Sequence, residues 1–183
     1  MKQFALLIQL LATSTKTTTK LDAIQDYFST ANDEDKIWVI ALFTGKRPKR
    51  SVNSALLRLW CMEMTNIEPW LFEESYNTVG DLAETIALLL PEKDEALDDH
   101  QEERTLSWYM DVLLDLGKEN DEVKKKFVTE SWAKMSVNEI FVFNKLMTGG
   151  FRIGVSQKMM VNALAKTTDV SPSIIAHRLI GNW

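Results

Sequence analysis

Four cations crowd around one proline in Thr44-Gly-Lys-Arg-Pro-Lys-Arg-Ser51. Side chains of this kind grip phosphate: arginine offers a planar fork of donors and lysine a mobile point charge. Pro48 stiffens the segment, and the amides near Gly45 are expected to point outward. Lys46, Arg47, Lys49 and Arg50 are therefore candidate phosphate contacts, with an ordinary solvated linker as the alternative. A second stretch, Thr13-Ser-Thr-Lys-Thr-Thr-Thr-Lys20, sets hydroxyls and two lysines at the expected start of a helix. Free N–H groups and the positive end of the helix dipole both favour an anion there. Thr15, Lys16 and Lys20 are the candidates; plain N-capping would use only one of the hydroxyls. The third stretch, Thr148-Gly-Gly-Phe-Arg-Ile-Gly-Val-Ser-Gln-Lys158, holds three glycines in six residues. Gly149, Gly150 and Gly154 permit positive φ and close backbone approach. Arg152 and Lys158 add charge there, and Ser156 can cap the helix that follows. The spacing matches neither the dinucleotide fingerprint nor the P-loop, so a tight interhelical turn is the alternative.

Other chemistry is poorly represented. One cysteine, Cys61, excludes an internal disulfide and fits a reducing, cytoplasmic compartment. It lies in an apolar run and reads as a buried structural thiol. With His100 and His177 far apart, no zinc-type ligand set is available. No Ser-His-Asp or Cys-His set stands out, although such sets assemble from distant residues. No apolar run is long enough to span a membrane. Lys2 followed by Phe4 to Ala12 resembles a signal peptide, but Gln3 and Gln9 interrupt it and no cleavage site follows. An amphipathic helix with Phe4, Leu7, Ile8 and Leu11 on one face fits better.

The formal net charge of −5 argues at first against a polyanion partner. Its distribution argues the other way. Residues 1–60 carry a net +4, residues 61–122 a net −15, and residues 123–183 a net +6. If the two basic ends fold together they make one basic face, with the acidic middle keeping the chain soluble. The alternative is chance clustering on solvated helix faces.

The elements that must carry these stretches read as helices. Thr17 or Thr18 can cap a helix from about Thr19 to Ser29. Asn32 can cap the next, with Asp33, Glu34 and Asp35 in its first turn and a stop at Thr44-Gly45. Helix resumes at Ser51, and Pro69 suits the first position of a helix over Trp70 to Tyr76. Asp81 with Glu84, and Ser136 with Glu139, read as capping boxes opening Leu82–Leu90 and Val137–Met147. Helices are also expected over about 103–116, 121–134 and 157–166, and from Pro172 to Gly181, with Phe151–Val155 the one candidate strand. The reading is a compact all-α array of ten to eleven helices, with a lobe boundary near the acidic residues 91–103. Trp38, Trp60, Trp70 and Trp132 fall on apolar faces and are expected in the core.

Gly150-Phe-Arg-Ile-Gly-Val-Ser-Gln157, leading into Val161, Ala163, Leu164 and Ala165, resembles the end of the N-terminal domain of ATP-dependent DNA ligases. Those domains carry a similar leucine-arginine-isoleucine/valine-glycine turn; here Phe151 stands in place of the leucine. Ser75-Tyr-Asn-Thr-Val-Gly-Asp-Leu-Ala-Glu-Thr85 is similar to the family's glycine-aspartate helix start, and the stretches at 13–20 and 44–50 fall where bacterial members have theirs. The resemblance covers essentially the whole chain. It implies an all-helical domain that grips the minor groove on both sides of a nick, without reading sequence, in repair, replication or recombination. It also implies a parent enzyme with a nucleotidyltransferase domain and an OB-fold in cis, using ATP and Mg²⁺. The family's adenylated lysine lies in a lysine-x-aspartate-glycine motif. The only near match, Lys20-Leu-Asp-Ala23, lacks the glycine and is read as a decoy. With the sequence ending at Gly181-Asn-Trp183, this piece is expected to bind nicked duplex DNA as a monomer, to hold no cofactor and not to ligate. The competing reading is a helical scaffold that meets a basic protein partner through its acidic middle.

Overall fold

The computed structural model describes residues 1–46, 49–91, 103–149 and 154–180. These residues are all-α, with no strand among them. The eleven helices are α1 Lys2–Thr13, α2 Thr17–Thr30, α3 Asp33–Phe43, α4 Ser54–Thr65, α5 Pro69–Val79, α6 Leu82–Leu89, α7 Leu106–Leu116, α8 Asp121–Trp132, α9 Val137–Thr148, α10 Gln157–Thr168 and α11 Pro172–Ile180. Of the strand expected at Phe151–Val155, residues 151–153 lie outside the described residues, and Gly154 and Val155 are not extended in a sheet. The chain divides into two compact units. The first takes the described residues within 1–47, 105–107 and 151–183, the second those within 48–104 and 108–150. The acidic stretch expected to hold a boundary falls almost wholly on residues 92–102, outside the described residues.

In the first unit, Phe4, Leu7, Ile8 and Leu11 recur at helical spacing and are all buried, as expected of α1. Burying each such side chain stabilises the fold by roughly 1.5–3 kcal/mol. α2 packs on α1 and, most extensively, on α10; α10 also packs on α3 and α11. Ile24 and Phe28 of α2, Val39 of α3, and Met160, Ala163 and Leu164 of α10 are buried here. Asn32 caps α3 as expected, its side chain accepting from the Asp35 N–H at 2.7 Å. Asp35, however, is more than a first-turn charge. It is 5% exposed, and its two carboxylate oxygens accept from the backbone N–H groups of Ser107 (2.7 Å) and Leu106 (3.2 Å). One aspartate thus satisfies orphan donors at the start of α7 that no side chain within α7 could reach.

In the second unit, α6 packs on α9, α5 and α4, and α4 packs on α8. Ala83 and Ala87 are small and buried, which lets α9 approach α6. Tyr109, Phe127 and Phe143 meet with ring centroids 5.6–6.5 Å apart. Trp132 donates its indole N–H to the fully buried Asn144 at 2.9 Å. Gly80, at φ 78°, ends α5 in the left-handed region, and Asp81 then caps α6 by accepting from the Glu84 N–H. The glycine-aspartate pair is therefore a helix-to-helix corner. Burial opposes ionisation of Asp81, but its contacts to Lys145 of α9 and to the Glu84 and Ala83 N–H groups outweigh that and hold its pKa below the usual carboxylate value.

Two boundaries differ from expectation. α2 starts at Thr17 with Lys16 as N-cap and no side-chain cap, so neither Thr17 nor Thr18 serves as one. α4 starts at Ser54 under an Asn53 cap, and Ser51 and Val52 are buried ahead of it. The tryptophans also divide: Trp60 and Trp132 are buried and Trp38 is half-buried, but Trp70 is 66% exposed. Trp70 follows Pro69 in the first turn of α5, and Phe72 is the residue that this helix buries.

Two outcomes follow for stability. Asp35→Ala strands two buried N–H donors and should lower unfolding free energy by about 3 kcal/mol in urea titration; a loss under about 1 kcal/mol would contradict the bridging role. Asp81 has a depressed folded pKa, so its contribution is present above the unfolded pKa and is lost as pH falls through the folded one. Asp81→Asn should keep the cap and flatten the fall in stability between neutral pH and about pH 3.

Candidate nucleic-acid interface

The first unit brings two of the three expected stretches together. Lys20, in the first turn of α2, reaches the loop before α10: a Cβ built on Gly154 would stand 3.0 Å from its Nζ. Gly154 has φ +64°, so backbone conformation favours glycine there. The starts of α2 and α10 are therefore neighbours, and neither first turn carries an acidic residue. By contrast, Asp33, Glu34 and Asp35 occupy the first turn of α3, and Asp121 and Glu122 that of α8.

At α2 no side chain caps the helix, so the N–H groups of Thr17, Thr18 and Thr19 have no intrahelical acceptor. The Ser14 hydroxyl accepts from the Lys16 N–H at 3.3 Å, which removes that amide from the set. Sequence reasoning named the stretch and missed this division of labour. At α10, Ser156 caps as expected, accepting from the Met159 N–H at 3.1 Å, and leaves the amides of Gln157 and Lys158 in the first turn. Thr15, Lys16, Ser156 and Lys158 are exposed, and Lys20 is half-buried. Lys20-Leu-Asp-Ala23 lies wholly inside α2.

The loop after α3 is built differently from expectation. The N–H groups of Thr44 and Lys46 donate back to Ile40 and Ala41 at 3.0 and 2.8 Å, and that of Gly45 to Leu42 at 3.4 Å. Gly45 is at φ +85°, the left-handed residue of a helix C-cap. Its amides are thus not free to face a phosphate, and any grip here rests on side chains. Lys46 is half-buried and belongs to the first unit; Arg47 and Pro48 lie outside the described residues.

The second unit holds Lys49 and Arg50, both exposed. A Cβ on Gly149 would stand 3.7 Å from Arg50 Nε, and Gly149, at φ +92°, ends α9. A cation beside that helix end also offsets the negative end of its dipole, so Arg50 has a structural use besides any ligand. Lys145, in the last turn of α9, is taken by Asp81. Gly150 and Arg152 lie outside the described residues.

Cys61 is buried, and burial pushes its thiol up to about 12, so it is an inert core residue. Among the described residues, no three His, Cys, Asp or Glu side chains are placed to hold a metal ion. No helix there is long and apolar enough to cross a membrane.

No curated protein sequence matches this chain. Residues 1–165 match the family model described as "DNA ligase N terminus", which spans all of α1 to α9 and most of α10. An all-helical chain with paired helix starts bare of acids, matched over most of its length, belongs to the DNA ligase N-terminus family, the N-terminal domain of ATP-dependent DNA ligases.

Proposed function

We propose that this domain holds nicked duplex DNA by its phosphates, as the DNA-binding part of an ATP-dependent ligase that seals nicks in repair, replication or recombination. The observation that carries the reading is the junction of Lys20 with the Gly154 loop. It sets two helix starts side by side, with free first-turn amides and no neighbouring carboxylate in either first turn. DNA presents phosphates at regular spacing, and backbone amides with flexible lysines contact them without reading bases.

Thr15, Lys16, Lys20, Ser156 and Lys158 form one contact group in this proposal, and Lys49, Arg50 and Gly149 a second. Lys46, with Arg47, Gly150 and Arg152, completes the set by sequence. The grip is electrostatic and works on a bound monomer, with the ligase's catalytic domains acting in cis. ATP and Mg²⁺ belong to those domains. No step through them is assigned to residues 1–183, because the near match to the adenylation motif lacks its glycine and is built into α2.

Counter-ion release gives the direct test. With about six phosphates engaged, log affinity for nicked duplex should fall against log salt with a slope of roughly −5, read by fluorescence anisotropy. Lys16→Glu with Lys20→Glu should weaken binding at least about ten-fold and flatten the slope by about 2. Gly154→Ala, which strains a positive-φ residue and displaces Lys20, should weaken binding without removing charge. A slope near zero, or affinity unchanged in the double variant, would overturn the proposal.

A further inference from the structure

The run from Cys61 to Pro91 contains no lysine or arginine and six carboxylates. Three of these are met by cations from elsewhere in the second unit: Glu63 by Lys125 at 2.6 Å, Glu73 by Arg58 at 2.7 Å, and Asp81 by Lys145. Glu68, Glu74 and Glu84 are exposed and have no ion pair among the described residues. Glu74 lies on α5 and Glu68 is its N-cap residue; the same helix exposes Trp70 at 66% and Leu71 at 40%.

The periodicity of α5 explains why. Phe72, Ser75, Tyr76 and Val79 fall on one side of the helix and are buried or half-buried. Trp70, Glu74 and Asn77 fall on the opposite side and are exposed, with Leu71 at its edge. Glu68 precedes the first turn as N-cap without capping it. Arg58 reinforces the inner side by stacking 4.5 Å over the Tyr76 ring while pairing with Glu73. The helix is thus anchored from within and turns Trp70 outward, with unpaired Glu74 on the same side and Glu68 just before the first turn.

Tryptophan is among the side chains that most often anchor a protein interface. Nucleic acid is repelled by the charge of this face. We propose that the outer face of α5 docks a basic amphipathic helix of a partner protein. Trp70 and Leu71 would insert between that helix's apolar residues, while its lysines and arginines meet Glu68 and Glu74 and stack on the indole. The residues of this face are different from those of the basic loops.

The test uses the isotope-labelled 183-residue chain and a synthetic amphipathic helical peptide of arginine and leucine, with a scrambled peptide of equal charge as control. Amide shifts are expected to concentrate on residues 68–78 with the amphipathic peptide and not with the scrambled one. Trp70→Ala, at an exposed site that leaves the core intact, should weaken binding about ten-fold. Glu68→Gln with Glu74→Gln should weaken it several-fold and reduce its salt dependence, while Lys16→Glu with Lys20→Glu should leave it unchanged. Equal affinity for both peptides, insensitivity to Trp70→Ala, or no binding at millimolar peptide would overturn the proposal. So would residues 68–78 shifting with the concentration of the chain alone, which would make a second copy the occupant.

Discussion

Helices α2 and α10 come from opposite ends of the chain and pack against each other more extensively than any other pair in their unit. What the basic loops can do depends on that packing. Ile24 and Phe28 on one helix and Met160, Ala163 and Leu164 on the other remove their apolar faces from water. The start of each helix is then fixed by its own core. Lys20 can lie against the loop that opens α10 because Gly154 offers no side chain there and tolerates φ +64°. A larger residue would strain the loop and push the ammonium away. The uncapped amides at the start of α2 are thus held in place by the burial of a core.

The charge pattern follows the same logic. The chain is net acidic, yet several of its acids are buried or paired. Asp35 is buried and bonded to the start of α7. Glu63, Glu73 and Asp81 hold Lys125, Arg58 and Lys145. Such pairs add little stability at a surface, but they also tie up cations that would otherwise spread the positive field. Lys16 and Lys158, by contrast, have no ion pair among the described residues. Net charge is therefore a poor guide to the partner, and the local field at two acid-free helix starts is a better one.

Much of the fold could be read from residue types. Asn32, Asp81, Ser136 and Ser156 all cap the helices they were expected to cap, because capping is a local exchange between one side chain and the next turn. What escaped depends on distance along the chain. Asp35 had the marks of a first-turn acid, and only tertiary placement shows it bridging to Ser107. Trp70 is expected in the core as part of an apolar helix face, but it follows Pro69 in the first turn and lies opposite Phe72 on α5. At the site, residue types put the helix start at about Thr19, two residues after the observed start at Thr17. They did not reveal that Ser14 takes one amide, or that the amides around Gly45 turn back into α3. Those outcomes are set by hydrogen bonds that compete on the same few residues, which sequence spacing alone does not rank.

We place DNA on the basic helix starts and not on the acidic face. Amide shift mapping of the chain with a short nicked duplex tests it most directly. The account predicts shifts clustered at Thr15–Lys20, at Gly154–Lys158 and at Lys49, Arg50 and Gly149, with α5 and α8 unmoved. Shifts centred on α5, or spread evenly over the surface at low salt and absent at physiological salt, would contradict it.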